Sequence, residues 1–347
     1  FLFVPAALVR QFEIFLIGLF SIGTGLAILQ TAANPYVTII GPIESAARRI
    51  SIMGICNKFA GIIFPLIFAA LLLKADDSEL FSLIESGTLD AITKSAMLDE
   101  LIQRVIVPYA ILGVLLVLAG IGIRYSILPE INTDEQNATD EKENGHNSKK
   151  SIFDFPYLIL GALAIFFHVG TQVIAIDTII NYANSMGIDL LEAKVFPSYT
   201  LACTMIGYVL GILIIPKYVS QTKALIICTV LGLLLSFGVV FADFNVTLFG
   251  HQANISIFLL CALGFPNALI YAGIWPLSIH GLGKFTKTGS SLLIMGLCGN
   301  AILPLIYGYF AEVYDLRIGY WILIPCFLYL IFFATKGHKI NSWKRNY

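Results

Sequence analysis

Long runs of Leu, Ile, Phe and Val, with Gly and other small residues among them, alternate with polar breaks along the whole chain. The apolar runs cover 13–40, 50–73, 105–128, 153–180, 195–216, 223–243, 254–280, 289–311 and 318–335, and FLFVPAALV at 1–9 reads as the end of one more. Each is near the length of about 20 apolar residues with which a helix crosses a bilayer. Strands of a membrane barrel would alternate apolar and polar residues over about 10 positions, and these runs do not alternate. Their Gly and Pro suit lipid-embedded helices, whose neighbours and waters satisfy the backbone groups set free. The pattern predicts an all-α polytopic membrane protein. Two of the polar breaks are long. Residues 74–104 are acidic and predict a short surface helix, and 129–152, rich in Asn, Glu, Asp and Lys, predict a disordered linker.

Composition supports the membrane reading. Of 347 residues 58% are hydrophobic and 12% charged, with mean hydropathy +0.85, against roughly 25% charged in a soluble domain. A net charge of −1 supplies no broad field for a nucleic acid. Cys56, Cys203, Cys228, Cys261, Cys298 and Cys326 lie in apolar runs without a CxxC pair and read as small buried hydrophobes. Lys and Arg set the sidedness. With the loop at 41–49 inside, the inner connections hold Arg48, Arg49, Arg124, Lys142, Lys149, Lys150, Lys217, Lys223, Lys284 and Lys287, and the tail adds four more basic residues. The outer loops hold only Arg10, Lys74, Lys94, Arg104, Lys194 and Arg317. The C-terminus is therefore expected on the cytoplasmic side of a plasma (inner) membrane.

A short internal repeat adds organisation. IMGICN at 52–57 matches IMGLCG at 294–299 at an offset of 242, and Asn34-Pro35 matches Trp275-Pro276 at an offset of 241. Each pair joins two spans through a basic loop of the same sidedness, which predicts parallel halves related by an axis along the membrane normal. On that offset the counterpart of the block starting near 153 would begin about 90 positions before Phe1. The expectation is therefore two pseudo-symmetric six-helix bundles, the first incomplete here: 1–128 (end of helix 3 to helix 6), linker 129–152, second bundle 153–337 and cytoplasmic tail 338–347.

LQTAANPYVTIIGP at 29–42, followed by ESAARR at 44–49, is more specific. It resembles the stretch that ends the fourth helix in the fucose permease and glucose/galactose transporter family of the major facilitator superfamily. FFHVGTQVIAIDTIINYA at 166–183 is similar to that family's seventh helix, and PNALIYAGIWPLSIHGLGKFTKTGSSLLIMG at 266–296 to its tenth-to-eleventh helix region. The resemblance implies the major facilitator fold and import of a monosaccharide (fucose, glucose or galactose) by alternating access, with H+ or Na+ symport. In the fucose branch a Glu stands where this chain has Gln30 and serves proton coupling and sugar binding; Gln30 cannot take a proton, so the coupling ion is left open.

A sugar hydroxyl needs a donor or acceptor in a dry site, and amides supply both. Gln30 and Asn34 share a helix face at i, i+4; Asn57 and Gln172 match family positions that line the cavity; Asn267, Tyr271 and Trp275 form a stripe at i, i+4, i+8; and Asn300 follows the same logic. All eight are candidate sugar ligands, with interhelical hydrogen bonding as the plainer role. Tyr199 is a weaker candidate. Asp177, Lys58 and His168 are ion-coupling candidates, because an ionisable group within the membrane is functional by default. The plainer readings are a hydrated Asp177 near a helix end or paired with Lys58, a Lys58 at a helix interface, and a satisfied core His168. Glu44, Arg48 and Arg49 form a candidate gating cluster, with Glu44 placed to pair with Arg48 at i, i+4.

No GxxxxGK[ST], HExxH or GxSxG motif and no metal-ligand spacing occurs. No cofactor and no enzymatic activity are expected, and the partners are a monosaccharide and the bilayer, with the protein a monomer. The rival readings are a non-transporting sugar sensor on the same fold, which lacks a visible signalling domain, and a polytopic enzyme, which lacks a convergent acid–base set.

Overall fold

The computed structural model describes residues 1–9, 11–72, 91–126 and 151–343. Helices dominate: α1 Phe3–Val9, α2 Phe12–Ile39, α3 Ala46–Leu72, α4 Ala91–Arg124, α5 Pro156–Asp177, α6 Ile179–Ser185, α7 Leu190–Ala193, α8 Phe196–Ile214 and α9 Gln221–Phe241. A hairpin of β1 Asn245–Leu248 and β2 His251–Asn254 follows, then α10 Ile255–Ala262, α11 Gly264–Ile279, α12 Thr286–Met295, α13 Gly299–Val313, α14 Leu316–Gly319 and α15 Leu323–Thr335. Among the described residues, eight helical runs are long and apolar enough to cross a membrane. Contacts divide the chain into two compact units, one of Phe1–Leu29 and Phe59–Glu130, the other of Gln30–Lys58 and Ile131–Tyr347. The linker expected at 129–152 lies, apart from Ser151 and Ile152, outside the described residues.

In the first unit α1 packs on α4. The buried Phe3 ring sits 4.9 Å from Phe15 and 4.8 Å from Tyr109. The surface helix expected within 74–104 takes another form. Residues 91–104 are the first turns of α4, continuous with the span behind them, and 73–90 lie outside the described residues.

The second unit holds the larger core. α5 packs on α11, α13 and α15, and α11 also packs on α8 and α9. Local signals start these helices. A capping box closes between Ser151 and Asp154 before Pro156 opens α5; Ser220 caps α9, and Asn254 caps α10. On α9, Ile227, Leu234 and Phe241, seven residues apart, face outward while Cys228, Gly232 and Val239 are buried. That is the division a lipid-facing helix requires. Small residues let helices approach. A Cβ on Gly299 would lie 2.0 Å from the Phe166 carbonyl oxygen, and one on Gly264 would lie 2.1 Å from that of Thr200.

The expected span 254–280 is one apolar run that breaks at Leu263 into α10 and α11, with Gly264 seated on the α8 backbone. The span 289–311 begins earlier, at Thr286, and turns through Gly296–Cys298. The hairpin was not anticipated. Its strands pair Asn245 with Asn254 and Leu248 with His251 across the two-residue turn Phe249-Gly250, both at positive φ. Of the six cysteines expected to be buried, Cys228, Cys261 and Cys326 are, Cys203 is half-buried, and Cys56 and Cys298 are exposed on their helices.

Candidate functional site

The site residues proposed from the sequence all fall in the second unit. At its centre Asn34, on α2, is buried, and its Nδ2–H donates to the Tyr271 hydroxyl on α11 at 2.9 Å. Tyr271 lies between two other groups. The Trp275 ring centroid is 6.0 Å from it on the next turn of α11, and the His168 ring, on α5, is 6.3 Å away. Asn267, one turn before Tyr271, completes the stripe. Asn267, Trp275 and His168 are each no more than 1% exposed.

These three side chains share an unusual property. Asn267 Oδ1 and both His168 ring nitrogens have no hydrogen-bond partner. The Trp275 Nε1–H makes no bond of acceptable geometry, although the Tyr271 hydroxyl is near enough to interact with it. A buried polar atom left unmet costs about 1–3 kcal/mol, so the three atoms on Asn267 and His168 are a concentration of unused hydrogen-bonding capacity. His168, whose plainer reading is a satisfied core histidine, finds no protein partner for either ring nitrogen among the described residues.

Among the described residues, no hydrogen bond, ion pair or ring contact joins the remaining candidates to this centre. Gln30 and Gln172 are half-buried, Asn57 and Asn300 are exposed, and Lys58 is half-buried on α3. Asp177 is the last residue of α5 and is exposed at the helix end; no ion pair joins it to Lys58. Tyr199 packs against Phe249 and His251 of the hairpin, with ring centroids 5.2 and 6.1 Å away. The buried centre is therefore built of amide, imidazole, phenol and indole groups.

The candidate gating cluster resolves into one working residue. Arg49 Nε donates to Val37 O at 2.8 Å, Nη1 to Pro42 O at 3.0 Å and Ser45 Oγ at 2.6 Å, and Nη2 to Thr38 O at 2.6 Å and Gly41 O at 3.2 Å. The last carbonyls of a helix lack partners within it, and Arg49 supplies them for α2 while fixing the turn into α3. Glu44 and Arg48 are exposed and form no ion pair. The expected i, i+4 pairing fails because Glu44 sits in the tight turn Ile43–Ser45, ahead of the α3 helix.

Sequence reasoning missed two contacts made by α3. The Tyr208 ring of α8 lies against Gly54 of α3, where an added Cβ would come within 2.5 Å of Tyr208 Cζ. The Ala47 N–H donates to Gln221 Oε1 at 3.3 Å, joining the starts of α3 and α9. The available signal was the small residue Gly54 within the repeated IMGICN. A third network lies at the other end of the unit. His251 Nδ1 and Glu192 Oε1 are 2.6 Å apart, Arg317 pairs with Asp243 at 3.1 Å, and Asn254 donates to Asp243 at 2.8 Å.

The profile of the Major Facilitator Superfamily matches residues 1–296. The chain is 30% identical over 343 residues to a protein named glucose/galactose transporter from Brucella abortus, covering 97% of this chain and 75% of that one. It is 28% identical over 338 residues to the L-fucose-proton symporter of Escherichia coli, covering 96% of this chain and 74% of that one. The structure superposes on the crystal structure of the Escherichia coli fucose:proton symporter with a TM-score of 0.78 at 24% identity, covering 99% of this chain and 80% of that one. At that identity the superposition speaks for the fold, and the apolar helical runs speak for the membrane. The chain belongs to the Major Facilitator Superfamily and is a multi-pass membrane protein with its helical fold.

Proposed function

We propose that the protein carries a monosaccharide across the plasma (inner) membrane by alternating access, as a monomer with a cytoplasmic C-terminus, and that uptake is driven by symport of H+ or Na+. The observation that carries this reading is the buried group of Asn34, His168, Asn267, Tyr271 and Trp275, which offers donors and acceptors beside two aromatic rings. A pyranose is a neutral polyol with apolar C–H faces, and it matches such a lining. The sugar named for the bacterial relatives points the same way. Gln30, Asn57, Gln172 and Asn300 extend the proposed binding surface. Asp177, Lys58 and His168 are the titratable groups proposed for ion coupling, since Gln30 has no proton to exchange.

The test is uptake by the full-length protein in proteoliposomes, with radiolabelled fucose, glucose and galactose under separate proton and sodium gradients. Accumulation of one of these sugars under one gradient is expected; accumulation of none sinks the reading. Asp177→Asn is expected to lose gradient-driven uptake while keeping counterflow exchange, and an unchanged pH dependence in that variant removes Asp177 from the mechanism.

A further inference from the structure

Asn34 and Tyr271 are 237 positions apart in sequence, and their hydrogen bond ties the basic-loop end of α2 to the middle of α11. Two further contacts hold the neighbouring α3 at the same end. Tyr208 fits against Gly54, and the Ala47 N–H is bonded to Gln221. In this arrangement Asn267, Trp275 and His168 are buried, and Asn267 Oδ1 and the His168 ring nitrogens go unmet. The groups that form the Asn34–Tyr271 bond are of the same kind, an amide and a phenol, and lie beside the unmet ones. A ligand carrying several hydroxyls that reaches this place can satisfy the unmet atoms. It can also replace the Asn34–Tyr271 bond with two bonds of its own.

We infer that the Asn34–Tyr271 bond is a latch on the cytoplasmic side and that the transported sugar opens it by taking both side chains as ligands. The inference rests on the sugar reading above. Asn34 and Tyr271 then have two alternative partners, each other or the sugar hydroxyls. Sugar occupancy and latch closure exclude one another, and by linkage each weakens the other. Once the bond is exchanged, the polar tie left between the α3 start and α9 is the one long Ala47–Gln221 hydrogen bond, beside the Tyr208 ring contact on Gly54. The α3 start parts from α9 and opens the path past the basic loops.

The experiment reads the opening at Ala47, which is 1% exposed in the closed arrangement. Ala47→Cys is placed in the full-length protein with its native cysteines replaced by alanine. Labelling by a membrane-impermeant maleimide is followed in inside-out vesicles, without sugar and with D-glucose, D-galactose or L-fucose. A transported sugar is expected to speed the labelling. Asn34→Ala and Tyr271→Phe, each added separately, are expected to label about fivefold faster without sugar, as loss of one neutral hydrogen bond implies, and to gain little when sugar is added. Tyr271→Phe keeps the ring and its packing, so it separates the latch from folding. Slow labelling of both variants without sugar, in a protein that takes up one of the sugars, overturns the latch and leaves the transport reading standing. Fast labelling of both variants in a protein that transports none of the three sugars overturns the sugar as the opening ligand and the transport reading with it.

Discussion

Arg49 donates five hydrogen bonds, four of them to main-chain carbonyls between Val37 and Pro42. A guanidinium offers five N–H groups in a fixed plane, and a lysine ammonium cannot reproduce their spread. Arg49→Lys is expected to lower stability by roughly 2 kcal/mol through unmet carbonyls at the end of α2, read as a lower melting temperature of the purified protein in detergent. At the other end of the unit, the Asp243 carboxyl is held below the usual carboxylate range, first by the hydrogen bond from Asn254 and then by Arg317. A carboxyl with a depressed folded pKa adds stability above its unfolded value of about 3.9, and that stability is lost as the pH falls through the depressed value. Thermal stability is therefore expected to fall on acidification below about pH 4, and Asp243→Asn is expected to flatten that part of the profile. The basic type of Arg49 was visible in ESAARR, but its task was not. The sequence reading assigned it to sidedness and gating, and its partners are main-chain carbonyls, which no residue pattern reveals.

Among the elements, the expected spans recur as helices because hydropathy over twenty residues is a local sum. Their interruptions depend on neighbours. α10 and α11 separate where Gly264 meets the Thr200 carbonyl, and α12 and α13 separate where Gly296 to Gly299 lie along α5. The hairpin at 245–254 was missed for a related reason. Its turn is Phe249-Gly250, not the Asn-Gly or Asp-Gly that announces such turns, and Phe249 has φ 54 with its ring against Tyr199. The closest approach to a backbone atom gives a direct test. An added methyl at Gly299 would stand 2.0 Å from the Phe166 carbonyl oxygen, and a backbone oxygen cannot swing aside as a side chain can. Gly299→Ala is expected to push α13 from α5 at a cost of about 1–3 kcal/mol, seen as reduced folded yield and a lower melting temperature. Gly308→Ala, with open space around it, is the control and is expected to match the parent.

At the scale of the molecule, the proposed binding centre carries polar atoms without partners, which lower stability. Asn267→Leu removes a buried carbonyl oxygen without a partner and puts an apolar side chain of similar size in its place. It is expected to raise stability by about 1 kcal/mol and to reduce sugar uptake, measured as melting temperature and initial uptake rate on one preparation. A variant that is both more stable and fully active would show that Asn267 is merely a packing residue. The sequence alone determined the membrane class, the order of the spans and the family, through the apolar runs and the TAANP segment. These properties are carried by composition and by short contiguous stretches. Only the tertiary structure decided which polar residues meet. It joined Asn34 to Tyr271, left His168 and Asn267 unmet, put Asp177 at an exposed helix end and dissolved the Glu44–Arg48 pair. Helical periodicity sets the face on which a side chain lies. Its partner depends on which helix packs there and at what depth, and that is settled by contacts between segments more than two hundred residues apart.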